Sequence, residues 1–237
     1  MTGRGPWSGA GVWVLDLADP GWDVAAAAVC LTDGERAHAE RGVPAEHRRR
    51  VLLRAGLRAV VGRLLGTSPE LAPIRTVDGR PSVASTPGSQ LGISCSASEE
   101  VGLIAAVPGA RVGVDVQRHR ADEALEAAEE GWLTESEQRA LALVPEADRL
   151  AAVTRCWTQK EAVLKGRGVG LHVAPRTIDT PVAAGGRSGE WSLSPIPVPS
   201  GYIATLALCS DDPQPEVRVT PLLPEVSDDG RRRPVRV

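Results

Sequence analysis

Aromatic side chains are scarce in this 237-residue chain, which has six tryptophans, one tyrosine and no phenylalanine. Alanine, valine and leucine must therefore build the interior, and the length suits one large domain or two small ones without disulfide staples. No charge of one sign dominates: 27 basic residues face 30 acidic ones, a formal net charge of −3. A chain-wide basic field of the kind that binds nucleic acid is excluded, so any anion site must come from local basic clusters. The four cysteines, Cys30, Cys95, Cys156 and Cys209, include no Cys-x-x-Cys pair, a usage that fits reduced thiols rather than a disulfide or zinc framework. No apolar run reaches membrane-spanning length, and the N-terminus lacks a charged-then-apolar leader pattern. A cytoplasmic monomer without membrane or nucleic-acid partners is expected.

What the sequence does have is a polar constellation in the stretch from Trp157 to Leu171. Trp157, Glu161 and Lys165 lie four apart and share a helix face, with Lys160 beside Glu161 and a glycine-rich end at 166–170. Such an acid and base are either a surface ion pair or half of a site. A second polar pattern lies upstream in Arg111 to Gln117, where valines alternate with Gly113, Asp115 and Gln117. Alternation puts Asp115 and Gln117 on one side of a strand, facing either solvent at a sheet edge or a site.

In chain order, 1–10 read as a loose lead-in, 12–17 as a strand and 24–31 as a second apolar element. Thr32 to Glu35 is a capping box for a short helix to about residue 40. Pro44 starts a longer helix that stops at Gly66, and its first half carries Arg48, Arg49, Arg50, Arg54 and Arg58. Arg50, Arg54 and Arg58 share a face, to be solvated or to hold an anion. Residues 67–90 read as a long loop with a turn at Asp78-Gly79-Arg80-Pro81, 91–97 and 101–107 as a hairpin, and 121–130 as an acidic helix. A second capping box at Thr134 starts another helix, and 147–165 form the helix that carries Glu161. Strands are expected at 191–196, 202–208 and 217–219. Helices mixed with short antiparallel strands in both halves give an α+β fold. The expected division is an N-terminal half 1–108, a C-terminal half 109–220 and a disordered tail 221–237.

Asp115, Glu161, Lys160 and Lys165 together supply oxygen ligands for a hard cation and positive charge for phosphate. Magnesium takes one or two carboxylates and leaves its other positions to water and phosphate, a set that suits cleavage of a pyrophosphate. The paired stretches Val112-Gly113-Val114-Asp115-Val116 and Trp157-x-x-Lys160-Glu161-Ala162-x-x-Lys165-x-x-Gly168-x-Gly170-Leu171 resemble the signatures of the Sfp-type 4′-phosphopantetheinyl transferase superfamily. In outline the resemblance spans about residues 31 to 208, including Gly79-Arg80-Pro81, Ser94-Cys95-Ser96 and Leu133-Thr134-Glu135-x-Glu137.

The resemblance implies a pseudo-dimer of two similar α+β halves with coenzyme A and Mg²⁺ bound between them. It implies transfer of phosphopantetheine to a carrier-protein serine with release of 3′,5′-ADP. By the same resemblance Asp115 and Glu161 would be metal ligands, with Gln117 at a third position. Glu161 would also be a candidate base, Lys165 would stabilise the leaving phosphate, and Lys160 would contact coenzyme A phosphate. Arg49, with Arg54 beside it, would meet nucleotide phosphate, and Gly79, Arg80, Ser94, Cys95 and Ser96 would line the adenine side. Two positions depart from the family pattern: Gln117 stands where a second acid is usual, and Cys95 where the family has a phosphate-binding histidine. Cys95 reads as a small half-buried hydrophobe and the four histidines as surface or locally bonded rings. Three readings stay open: an active transferase, a coenzyme A-binding relative with lost or redirected transfer, and a non-enzymatic carrier-docking module.

Overall fold

The computed structural model of the protein describes residues 9–77, 80–84, 90–120, 131–168, 173–211, 216–226 and 232–233. The fold is α+β. The first sheet contains β1 (Ala10–Asp16), β4 (Leu91–Ser98) and β5 (Val101–Pro108), with α1 (Val24–Ala28), α2 (Asp33–Ala39) and α3 (Pro44–Leu65) packed on one face. The apolar element expected at 24–31 is the short helix α1, started by the Asp23 side chain, which accepts the Ala26 N–H. Thr32 and Glu35 form the capping box of α2. α3 begins with proline at its first turn and ends where Gly66 turns left-handed at φ 68°.

Between α3 and β4 the expected loop also contains an antiparallel pair, β2 (Ile74–Val77) with β3 (Arg80–Val83). Thr76 and Val77 face Pro81 and Arg80 in its register, and Gly79 lies outside the described residues. β6 (Arg111–Arg118) opens the second sheet, followed by α4 (Glu135–Ala142) and α5 (Glu146–Arg167). β7 (Gly186–Ser188), β8 (Trp191–Pro195) and β9 (Tyr202–Cys209) complete that sheet in the order β6-β9-β8-β7, antiparallel throughout. The helix expected at 121–130 lies outside the described residues.

Alternation along the strands builds four layers. Trp13, Leu15, Ile104 and Ala106 face α3, whereas Val12, Leu103, Ala105 and Val107 meet Val112, Val114, Val116, Leu206 and Leu208 of the second sheet. α5 covers the outer face of the second sheet, with Ala162, Val163 and Leu164 packed against Trp191, Leu193 and Ala207. Each half thus sets one 22-residue helix against a four-stranded sheet, an arrangement compatible with two similar halves.

The halves are stitched by side chains. Along β4, the Ser94 hydroxyl accepts the Val114 N–H at 3.1 Å and the Ser98 hydroxyl accepts the Arg118 N–H at 2.9 Å. These bonds satisfy donors that β6 presents away from β9. β10 (Val217–Leu222) does not extend the second sheet; it returns to the first and pairs parallel with β1, Ala10 opposite Val217 and Leu15 opposite Leu222. The tail expected from residue 221 therefore starts within an ordered strand, because Leu222, only 3% exposed, fills space beside Gly56 and Leu15.

Candidate active site

Glycines set the distance between the two polar stretches. A Cβ on Gly113 would lie 1.9 Å from the Ala162 carbonyl oxygen and 2.6 Å from the Gly166 nitrogen. β6 and α5 therefore touch backbone to backbone. Gly166 in turn has no room for a Cβ, which would come within 2.4 Å of the Trp191 ring. This close contact brings Asp115, two residues along the same strand face, under the helix that carries Glu161 and Lys165.

Asp115 is 1% exposed, so the solvent-facing edge position does not apply to it. Its Oδ1 accepts from the Ser96 hydroxyl at 2.8 Å and from Lys165 Nζ at 2.6 Å, and its Oδ2 accepts from the Gln117 amide at 3.3 Å. Lys165 Nζ also donates to Ser96 Oγ at 2.8 Å. Lys165 thus turns across to Asp115, instead of forming a surface pair with Glu161. No hydrogen bond or ion pair joins the Glu161 carboxylate to any described residue. Burial, then the neighbouring Asp115 charge, push the Glu161 carboxyl above its usual 4.5, and Lys165 and Arg80 only partly offset them. Arg80 crosses from β3 and donates to the Leu164 carbonyl at 2.8 Å, a bond between the two halves.

A cavity of about 470 Å³ opens on the other side of β4. Glu35, His38, Arg41, Arg50, Arg54 and Cys95 are among its lining residues. Arg54 Nη1 is buried there without a hydrogen-bond partner, although Nε lies 3.7 Å from Glu35. An unsatisfied buried guanidinium donor is costly and marks a place for an anion. Burial would raise the Glu35 carboxyl, but the bond from Arg58, the Thr32 N–H and the charges of Arg58 and Arg54 outweigh it and hold Glu35 below its usual value. Burial pushes the Cys95 thiol up, offset in part by Arg54 and Lys165. Cys95 therefore stands between the arginine cavity and the Asp115 cluster as a neutral thiol without nucleophilic character.

Several of the expected site residues have other partners. Lys160 is fully buried; its Nζ pairs with Glu137 Oε2 at 2.8 Å and donates to the carbonyls of Pro175, at 3.1 Å, and Ile178. No surface of Lys160 is left for a phosphate. Glu137 caps α4 through Thr134 and also accepts both the backbone and hydroxyl donors of Thr180, so the pair ties α4, α5 and the 173–182 segment together. Ser94 is a structural acceptor for Val114. Arg49 lines a separate depression with Glu99 and Glu100, away from Arg54. Arg58, on the expected arginine face, is 1% exposed and pairs with Glu35 at 2.7 Å while donating to the Pro69, Glu70 and Ala72 carbonyls. Arg50 pairs with Glu46 one turn earlier at 2.8 Å, an acid at helical spacing.

Glu35, His38 and Arg41 were missed as cavity residues, and the one signal for them was the capped helix just before the arginine-rich one, which carries Glu35 and His38 and ends before Arg41. Val169, Gly170 and Leu171 of the original stretch, and His172 after it, lie outside the described residues. No helix among the described residues is long and apolar enough to cross a membrane.

Residues 111–191, from the start of β6 through Trp191, match the family model of the 4′-phosphopantetheinyl transferase superfamily. A protein of Nostoc sp. (strain PCC 7120) named 4′-phosphopantetheinyl transferase HetI is 29% identical over 163 residues, 68% of this chain and 69% of that protein. The matched segment contains the strand and helix that bring Asp115, Glu161 and Lys165 together, and over that segment the chain is similar to the 4′-phosphopantetheinyl transferase superfamily.

Proposed function

We propose that the protein transfers the 4′-phosphopantetheine group of coenzyme A to a serine of an acyl or peptidyl carrier protein, in a Mg²⁺-dependent reaction that releases 3′,5′-ADP. The observation that carries this reading is the convergence of Asp115 and Lys165 with the elevated Glu161 carboxyl, next to a cavity holding an unsatisfied Arg54 donor. Among the described residues no three His, Cys, Asp or Glu side chains gather as a metal cage. Two carboxylates and one amide are nonetheless a fitting donor set for magnesium, which prefers few protein oxygens. Asp115 and Glu161 would hold the ion, with Gln117 able to offer its carbonyl oxygen. When bound, the ion supplies charge neutralisation at the pyrophosphate.

The chain's own groups do the rest. Arg54, with His38, Arg41 and Arg50 around the cavity, holds the nucleotide phosphates, and Cys95 lies between that cavity and the reacting centre. Glu161 takes the proton of the carrier serine as Oγ attacks the phosphorus that bears the pantetheine. The bond from that phosphorus to the bridging oxygen breaks, and Lys165 stabilises or protonates the oxygen that leaves on 3′,5′-ADP. The halves 1–108 and 109–220 would divide the work, nucleotide on the first and metal and carrier on the second.

Apo carrier protein, coenzyme A and Mg²⁺ incubated with the enzyme should yield carrier heavier by one phosphopantetheine on intact-mass measurement. Absence of that gain across several carriers overturns the reading. Retained calorimetric binding of coenzyme A would then point to a binding relative, and its loss to a docking module.

A further inference from the structure

The hydroxyl of Ser96 belongs to the first half but sits inside the second half's polar cluster. It is 7% exposed, donates to Asp115 Oδ1 at 2.8 Å and accepts from Lys165 Nζ at 2.8 Å, while Lys165 reaches the same Oδ1 at 2.6 Å. Three atoms close a triangle, and one of its corners comes from across the interface. A lone ion pair would leave the Lys165 ammonium free to swing about one carboxylate oxygen on a flexible four-carbon stem. A second acceptor fixed on a strand removes that freedom. Ser96 is itself fixed, because Ser94 and Ser98 on either side anchor β4 to the N–H groups of Val114 and Arg118, which bracket Asp115.

We propose that Ser96 is a positioning residue that holds Lys165 against Asp115 across the interface between the halves, rather than a contact for the nucleotide. Its kinetic consequence rests on the transfer reaction proposed above, but the geometry it maintains belongs to the free protein. Two measurements test it.

In the first, Ser96→Ala lowers kcat about 10- to 100-fold, the range expected when a reacting group is displaced by up to ~1 Å, and leaves KM for coenzyme A within about twofold of wild type. Ser96→Cys, of similar size but with a weak donor, follows the alanine variant. A nucleotide contact would raise KM instead, and an unchanged kcat with raised KM overturns the proposal.

In the second, urea unfolding of Ser96→Ala, Lys165→Met and the double variant, all without metal or coenzyme A, gives a coupling of roughly ten- to a hundredfold in the unfolding constant, as for one charge-assisted hydrogen bond. Additive effects overturn the proposal. A wild-type enzyme that loads no carrier refutes the transfer reading alone, and the unfolding cycle then decides Ser96 by itself.

Discussion

Gly113→Ala is the most informative single substitution. The new methyl carbon would stand 1.9 Å from the Ala162 oxygen, 2.6 Å from the Gly166 nitrogen and 2.9 Å from the Ala162 carbonyl carbon, whereas nonbonded atoms settle near ~3.5 Å. α5 must therefore retreat from β6 by more than ~1 Å. Trp191, fully buried against Gly166, blocks an easy path. Overpacking of this kind costs about 1–3 kcal/mol, and with helix backbone as the obstacle we expect about 3 kcal/mol. For a protein of this size that lowers Tm by roughly 6–12 °C.

The retreat also carries Glu161 and Lys165 away from Asp115 and breaks the 2.6 Å contact. A displacement of ~1 Å costs on the order of 10²-fold in rate. Thermal unfolding and the rate of carrier mass gain are the assays, with Gly34→Ala, where a Cβ meets nothing within 4 Å, as the stability control. If Gly113→Ala melts within about 2 °C of wild type and loads carrier within twofold, the close approach does not set the site, and the reasoning fails.

Glu161→Gln should abolish carrier loading yet stabilise the metal-free protein at neutral pH. Because the folded-state carboxyl titrates above 4.5, the folded chain holds a proton that the unfolded chain has lost over that interval, so wild-type stability falls as pH rises through it. Melts in chelator should therefore coincide with wild type below about 4.5 and separate above it; a glutamine variant less stable at pH 7 contradicts the cause assigned to the shift. Lys160→Met leaves Glu137 charged and buried, and should cost about 3–5 kcal/mol in urea unfolding, whereas a loss below about 1 kcal/mol means that the pair is not structural. Arg54→Ala should weaken calorimetric coenzyme A binding at least about tenfold, the value of one or two charge-assisted bonds, and unchanged affinity removes the anion role of the cavity.

Features coded locally were legible in the sequence. Both capping boxes, the α3 boundaries at Pro44 and Gly66 and the β4–β5 hairpin follow from neighbouring residues, and the structure keeps them. Asp115 and Lys165 were grouped from two separate stretches, but the sequence set Lys165 beside Glu161 and gave no sign of its bond to Asp115. Lys160 and Lys165 look alike on paper, flanking the same glutamate. Only the fold reveals that the capping-box residue Glu137 has a second task, neutralising Lys160 in the interior. The arginines of α3 were misjudged for the same reason: helical spacing groups Arg54 with Arg58, but the 69–72 turn covers one and leaves the other facing the cavity. Pairing of β10 with β1 has no local signal, since its partner lies at the opposite end of the chain.

That last pairing has a consequence for how the protein acquires its shape during synthesis. β1 is translated well before β10, the neighbour on its parallel edge, with both helices of the two halves between them. Until then the slot for Leu222 beside Gly56 stays open, and an apolar strand waits with its backbone donors and acceptors unmatched. Ring closure over so long a stretch is entropically slow. The nascent chain is therefore exposed to misassociation until β10 is made, and completion of the first sheet waits for that strand.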